Sequence, residues 1–200
     1  SMITAGSSIR PHPSLPEAVA VRTAQQMKEA VDEALHGAHA LIMAAAVADF
    51  RPVKVEAHKV KKEAAVPVVE LERTPDILKE ARGDFVRVGF AAESQDLLKN
   101  AQEKLRSKSL HLIAANDITA ADSGFAADTN RVTLIDREGG VEELPLLAKL
   151  EVAHRLLDRV VGYLKGEITL VVPPPREGRS VPIWIENGYI HIPRAKLSFF

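Results

Sequence analysis

Cysteine is absent from all 200 residues, which excludes disulfides and thiolate metal sites and gives no reason to expect secretion. Aromatic residues make up only 4%. The core must therefore be built from Ala, Val, Leu and Ile, side chains that suit helices packed closely on a sheet. Neither sign of charge dominates: 26 Lys and Arg stand against 27 Asp and Glu, a net charge of −1. With no global field to attract nucleic acid or a membrane surface, any anion site must be local. No apolar run approaches the roughly 18–20 residues needed to cross a bilayer, and no signal peptide is seen. Ser1 ahead of Met2 reads as a residue left by cloning. These absences lead us to expect a cytoplasmic protein without a nucleic-acid or membrane partner.

Hydrophobic residues make up 46% of the chain, enough for one sizeable core with a small appendage. Residues 2–6 ("MITAG") and 19–21 read as short strands, separated by a proline-rich irregular connection. Thr23 caps a helix in which Ala24, Met27, Ala30, Val31 and Leu35 share one face. Residues 38–47 ("AHALIMAAAV") form a continuous apolar run, as in strands covered on both faces. Residues 66–72 suggest an outer strand. Thr74, Pro75 and Asp76 open a helix, with Thr as the cap and Pro in the first turn. Residues 85–93 and 111–117 read as core strands around a helix at 94–107. Residues 130–136 and 141–147 flank Gly139 and Gly140 as a hairpin, and a long helix covers 147–164. After Gly166 the chain turns β-rich, with a strand at 167–172 and an Asn187-Gly188 hairpin turn.

The alternation of strand and helix predicts an α/β fold with a mostly parallel sheet. The domains expected are residues 1–165 and a small β-rich extension, 166–200. Ligands of such sheets bind at the carboxyl ends of the strands. Asp49, Phe90 with Glu93, and Asn116 with Asp117 all fall there and should meet at one crevice.

Within that crevice, Lys54, Lys59, Lys61 and Lys62 suit a phosphate clamp, because ammonium groups can follow phosphate oxygens through a reaction. The plain alternative is a solvated loop. Asp49 can orient a ribose or hold magnesium, or merely cap a turn. The helix start at Pro75, Asp76, Ile77 and Leu78 offers backbone amides to an anion and, through Asp76, a second metal contact. Simple capping is the alternative. Lys104 and Lys108 share a helix face and either reach phosphates or serve solubility. Phe90 walls a base pocket or fills core. The seven histidines show no metal spacing, and the GxxxxGK[ST] and GxGxxG signatures are missing.

Taken in order, "AAAVADFRP", "HKVKK", "RTPDIL", "VGFAAES", "KLRSK", "AANDI" and "NRVTLI" resemble the phosphopantothenoylcysteine synthetase domain of bacterial bifunctional coenzyme A biosynthesis flavoproteins, over about residues 15–164. The resemblance implies a Rossmann-like fold, a homodimer and a CTP-dependent, magnesium-requiring ligase that joins cysteine to 4′-phosphopantothenate through an acyl-cytidylate. It implies that Met43, Ala44 and Ala45 line the cytidine site through backbone groups and that Asp49 contacts the nucleotide. Lys59, with Lys61 and Lys62 as helpers, matches a catalytic K-x-K-K flap. Pro75, Asp76, Ile77, Leu78, Phe90, Lys104 and Lys108 match further CTP-binding positions. In the family, a segment of roughly 40 residues follows "ITAG" and carries an asparagine assigned to handling the acyl-cytidylate. Here "SSIRPHPSLPEAV" follows directly, and that asparagine has no counterpart. The flavin-dependent half is missing too. Two other readings stand beside the ligase: a CTP-binding module without turnover, and a structural or assembly subunit.

Overall fold

The computed structural model describes residues 1–5, 17–54, 68–117, 128–166, 184–186 and 189–191. β1 (Met2–Ala5) and β2 (Ala18–Val21) pair in parallel. Thr23 caps α1 (Ala24–Ala34) as expected. Its hydroxyl accepts the Gln26 N–H at 3.1 Å, and the Gln26 side chain accepts the Thr23 N–H in return, a capping box that satisfies two otherwise orphaned donors. Met27 and Val31 bury the inner face of α1 against Val21 and Ile77.

The chain then forms β3 (Ala40–Met43), a short antiparallel ladder of β4 (Phe50–Pro52) and β5 (Leu71–Arg73), the single-turn helix α2 (Ile77–Glu80) and β6 (Val86–Glu93). α3 (Leu97–Ser107) crosses to β7 (Leu112–Asp117). β8 (Thr129–Asn130), β9 (Val132–Asp136), β10 (Val141–Glu143) and β11 (Leu147–Ala148) precede α4 (Lys149–Lys165). That last helix ends on Gly166 at φ +69°, the left-handed position that glycine adopts without steric cost.

Five strands form the main sheet in the order β10-β9-β7-β6-β3. β3, β6 and β7 are parallel, and β9 and β10 add an antiparallel hairpin on the far side. Alternation along the strands sends Val86, Val88, Leu112, Ala114, Val132 and Leu134 to one face, under Val152, Leu156 and Val160 of α4. Ala91, Ile113, Ala115 and Ile135 pack on the other, under Ala101 and Leu105 of α3. Two compact units divide the chain, residues 1–169 and 170–200. In the second, β12 (Trp184–Glu186) and β13 (Tyr189–His191) pair antiparallel. The register pairs Glu186 with Tyr189, and the Asn187-Gly188 turn itself lies outside the described residues. The strand expected at 167–172 lies outside the described residues.

Several boundaries differ from expectation. The apolar run at 38–47 contributes only four residues of strand. β3 has β6 on one side and no ladder on the other among the described residues, so Ile42 is 39% exposed rather than covered on both faces. Of the outer strand expected at 66–72, residues 66–67 lie outside the described residues, 68–70 are not strand, and Leu71 and Glu72 are in β5, which runs one residue further. The helix expected at Thr74 starts two residues later than its proposed cap: Asp76 is the N-cap, accepting the Lys79 N–H, while the Thr74 hydroxyl donates to the Ala48 carbonyl. α3 starts at Leu97, after Asp96 at φ 49°. The second hairpin arm stops at Glu143, and Leu147–Ala148 pairs separately with Thr129–Asn130.

Candidate functional site

The carboxyl ends of β3, β6 and β7 define the crevice. β3 stops at Met43, which faces Gly89, whereas β6 runs on until Glu93 faces Asp117 of β7. The shorter edge strand leaves Phe90 without a ladder neighbour on that side among the described residues, and the residue is 43% exposed. The ring therefore does not fill core. Met43, Ala44 and Ala45 line a cavity of about 480 Å³ together with Met2 and Ile3 of β1 and Met27 and Val31 of α1, a volume in the range of small-molecule sites.

Two backbone features draw the next pieces in. The Thr74 N–H donates to the Asp49 carbonyl at 3.0 Å beside the Thr74–Ala48 bond, so the chain after β3 is tied to the chain before α2. Asp49, exposed, thus lies close to the Pro75–Asp76 turn. On the other side α2 sits tightly on β6 because of Gly89. A Cβ there would lie 2.8 Å from Leu110 Cδ1 and 3.1 Å from Leu78 Cδ2. Sequence reading passed over that glycine, although "VGF" inside an apolar strand signals a close approach.

Asp76, Lys104 and Lys108 each have a charged partner. Lys108 Nζ is 3.0 Å from the Asp76 carboxylate, which also caps α2. Lys104 Nζ donates to Glu93 Oε1 at 2.7 Å, and Asn100 Nδ2 donates to Glu93 Oε2 at 3.2 Å. The Glu93 side chain is 12% exposed, so this carboxylate is a nearly buried anchor that holds the Lys104 head at the strand end. The sequence hint was the spacing of an acid at a strand end from a lysine-bearing helix, and the partnership itself was not foreseen. Ile77 and Leu78 are 2% and 7% exposed, so their side chains belong to the core.

The crevice therefore has two sides. On the α3 side stand the Glu93–Lys104 and Asp76–Lys108 pairs. On the α4 side stand Phe90, Ala92 and Asn116. The side chain of Asp117 is outside what the structure describes, as are Lys59, Lys61 and Lys62. Lys54 lies at the edge of that loop and is not without partners. Among the described residues no group of three or more His, Asp or Glu side chains could hold a metal by itself.

The fold shifts proton affinity at the other end of the sheet. His111, just before β7, has its pKa lowered by burial, then by Arg137 and Arg87, with Asp84 opposing. Its Nδ1 accepts the Arg87 N–H at 3.1 Å, which leaves the proton of the neutral ring on Nε2. Burial and then Glu138 push the Tyr163 phenol well above its usual value. Both belong to the structural rim, away from the crevice.

Comparison with known proteins places this geometry. Residues 1–164 match the family described as the DNA/pantothenate metabolism flavoprotein C-terminal domain. The chain is 43% identical over 154 residues to the coenzyme A biosynthesis bifunctional protein CoaBC of Bacillus subtilis, covering 76% of this chain and 38% of that protein. Against the Escherichia coli protein of the same name the identity is 34% over 168 residues, covering 80% and 41%. The chain thus spans about two fifths of the length of these relatives. The crystal structure of a CoaBC C-terminal domain superposes with a TM-score of 0.68 at 35% identity, covering 82% of this chain and 74% of that one. A Streptococcus pneumoniae DNA/pantothenate metabolism flavoprotein shares the fold, with a TM-score of 0.65 at 23% identity over 80% of each chain. This Rossmann-like chain belongs to the family of DNA/pantothenate metabolism flavoprotein C-terminal domains.

Proposed function

We propose that residues 1–165 form a phosphopantothenate–cysteine ligase domain of coenzyme A biosynthesis that uses CTP, with residues 166–200 as an extension. The observation that carries this reading is the convergence of Asp49, Asp76, Phe90, Lys104 and Lys108 on the carboxyl ends of β3, β6 and β7 in a chain of this family. The CoaBC names of the relatives supply the pathway, and the resemblance of the motifs supplies the nucleotide.

In this reading a carboxylate oxygen of 4′-phosphopantothenate attacks the α-phosphorus of CTP and pyrophosphate leaves. The cysteine amine then attacks the acyl carbon, CMP leaves, and the amide is formed. The cytidine lies against the backbone of Met43, Ala44 and Ala45, beside Phe90. Lys104 and Lys108 donate to phosphate oxygens in exchange for, or alongside, their carboxylate partners. Lys59, Lys61 and Lys62 lower the barrier by binding the charge that builds at phosphorus more strongly than the ground state. Magnesium, when bound, neutralises phosphate charge. Asp49, and Asp76 once it releases Lys108, would hold it with phosphate oxygens completing the shell, as suits a cation that keeps few protein ligands. The working unit is a cytoplasmic homodimer.

Calorimetric titration with CTP, ATP and UTP in the presence of magnesium tests the reading. Selective CTP binding, followed by pyrophosphate release with 4′-phosphopantothenate, is expected, and no nucleotide binding would defeat it. Lys59→Ala should lower kcat by roughly 10²–10³ with a much smaller change in CTP affinity. One sequence observation favours a second reading, a CTP-binding module without turnover: the family's asparagine segment after "ITAG" has no counterpart here. CTP binding without pyrophosphate release would select it.

A further inference from the structure

α1 carries two separate ladders on its inner face. Ile3 of β1 and Leu41 and Met43 of β3 all pack on the cluster that Met27 and Val31 of the helix bury. Yet among the described residues β1 pairs only with β2, and β3 only with β6. The cavity of about 480 Å³ is lined by residues of β1, β3, α1 and the turns beside them, and by none of β2 or β6. Each strand therefore turns to the cavity the edge that lies away from its ladder.

Hydrogen bonding fixes which groups stand on those edges. The Val86 N–H donates to the His39 carbonyl at 2.9 Å. Backbone groups of successive residues point to opposite sides of a strand, so those of Leu41 and Met43 also face β6. The N–H and C=O of Ala40 and Ile42 face the cavity. On the other bank the Met2 N–H donates to the Glu17 carbonyl at 2.9 Å, and the same alternation turns the groups of Ile3 to the cavity. Apart from Ser1, every residue lining the cavity is apolar. An apolar small molecule satisfies none of these backbone groups, and water satisfies them only by wetting the apolar lining. An extended polypeptide meets both demands, with a row of donors and acceptors for each bank and apolar side chains for α1.

We propose that the cleft between β1 and β3 is a docking site for one extended strand of another polypeptide, about as long as the four residues of β3, with apolar side chains on the alternate residues that face α1. Every described strand of a second copy already has a ladder on at least one edge, whereas a strand in this cleft needs both edges free. The occupant is therefore a segment of a different chain. The inference does not depend on the ligase reading.

The test uses the full chain and a capped peptide of alternating valine and threonine with a lysine at each end. Amide hydrogen exchange is followed by NMR. On saturation with the peptide, exchange at Ile3, Ala40 and Ile42 is expected to slow by at least about tenfold, while Leu41 and Met43, already held by β6, change little. The same peptide with alternate amides N-methylated is expected not to bind. Ile42→Pro removes a donor from the cleft edge without touching the β6 ladder, a position where an edge strand tolerates proline. It is expected to lose the peptide, whereas Ile42→Ala, which keeps the N–H, retains it. If Ile42→Pro fails to fold, the N-methylated peptide carries the test. No slowing at these amides, or equal binding of the N-methylated peptide, overturns the proposal. So does exchange at Ala40 and Ile42 that is as slow as at Leu41 in the chain alone, which would mean that the edge is paired within the chain. Slowing that follows protein concentration without the peptide would assign the cleft to a second copy and overturn it too.

Discussion

Asp136 is 5% exposed and accepts from Arg159 at 2.6 Å, from the Gly140 N–H at 2.6 Å and from the Glu138 N–H at 3.1 Å. The pair joins the end of β9 to α4. Gly140 permits it, because a Cβ there would lie within bonding distance of the carboxylate. Asp136→Ala leaves the Arg159 guanidinium, 10% exposed, without its nearest carboxylate. A loss of about 3–5 kcal/mol is expected in urea unfolding, the cost of breaking rather than replacing a buried pair. His111 gives a pH dependence at the same scale. Its folded pKa lies below 6.5, so the unfolded chain binds the proton more tightly. The stabilisation is full above 6.5 and is lost as pH falls through the folded value. His111→Asn, which keeps an acceptor for the Arg87 N–H, is expected to flatten the decline of stability below pH 6.5 relative to the wild type. Equal slopes for the two proteins would refute that assignment. Thr23 was legible as a cap in the sequence because capping is local. The Asp136–Arg159 pair spans 23 residues and had no local signature.

α4 shows what an element's position decides. Leu156 and Leu157 are neighbours in sequence, yet Leu156 is 3% exposed against the sheet and Leu157 is 45% exposed. Leu156→Ala is expected to cost about 2–5 kcal/mol through lost contacts and the cavity left behind. Leu157→Ala should stay within about 0.5 kcal/mol, as surface changes do, and chemical denaturation compares the two directly. The 3.6-residue period of α4 and the alternation in β6 and β7 were readable because they repeat every turn or every second residue. β3 was read as longer and better covered than it is, since the run at 38–47 does not say where its ladder partner ends. α2 was misplaced by two residues because Thr74 and Asp76 are both good caps, and the Ala48 carbonyl claims Thr74.

For the whole molecule, the balance of 26 cationic against 27 anionic residues leaves recognition of a triphosphate to a few local groups. Raising salt from about 0.05 to 0.5 M shortens the screening length from more than 10 Å to less than 5 Å. CTP affinity is expected to fall over that interval, and a titration at each salt concentration reads it. An affinity indifferent to salt would mean that base and sugar contacts carry binding and that Lys104 and Lys108 stay with Glu93 and Asp76.

Composition and periodicity by themselves determined that the chain makes an α/β core poor in aromatics, where its main helices run, and which strand ends bear candidate groups, because these depend on patterns a few residues long. Only the tertiary structure decided that β3 stops short and bares Phe90, that Gly89 lets α2 press onto β6, that Lys104 and Lys108 are each held by a carboxylate, and that Asn116 Oδ1 is buried with no hydrogen-bond partner among the described residues. Those outcomes depend on register and on contacts between residues far apart in the chain, and a one-residue change in register would send every side chain of a strand to the opposite face.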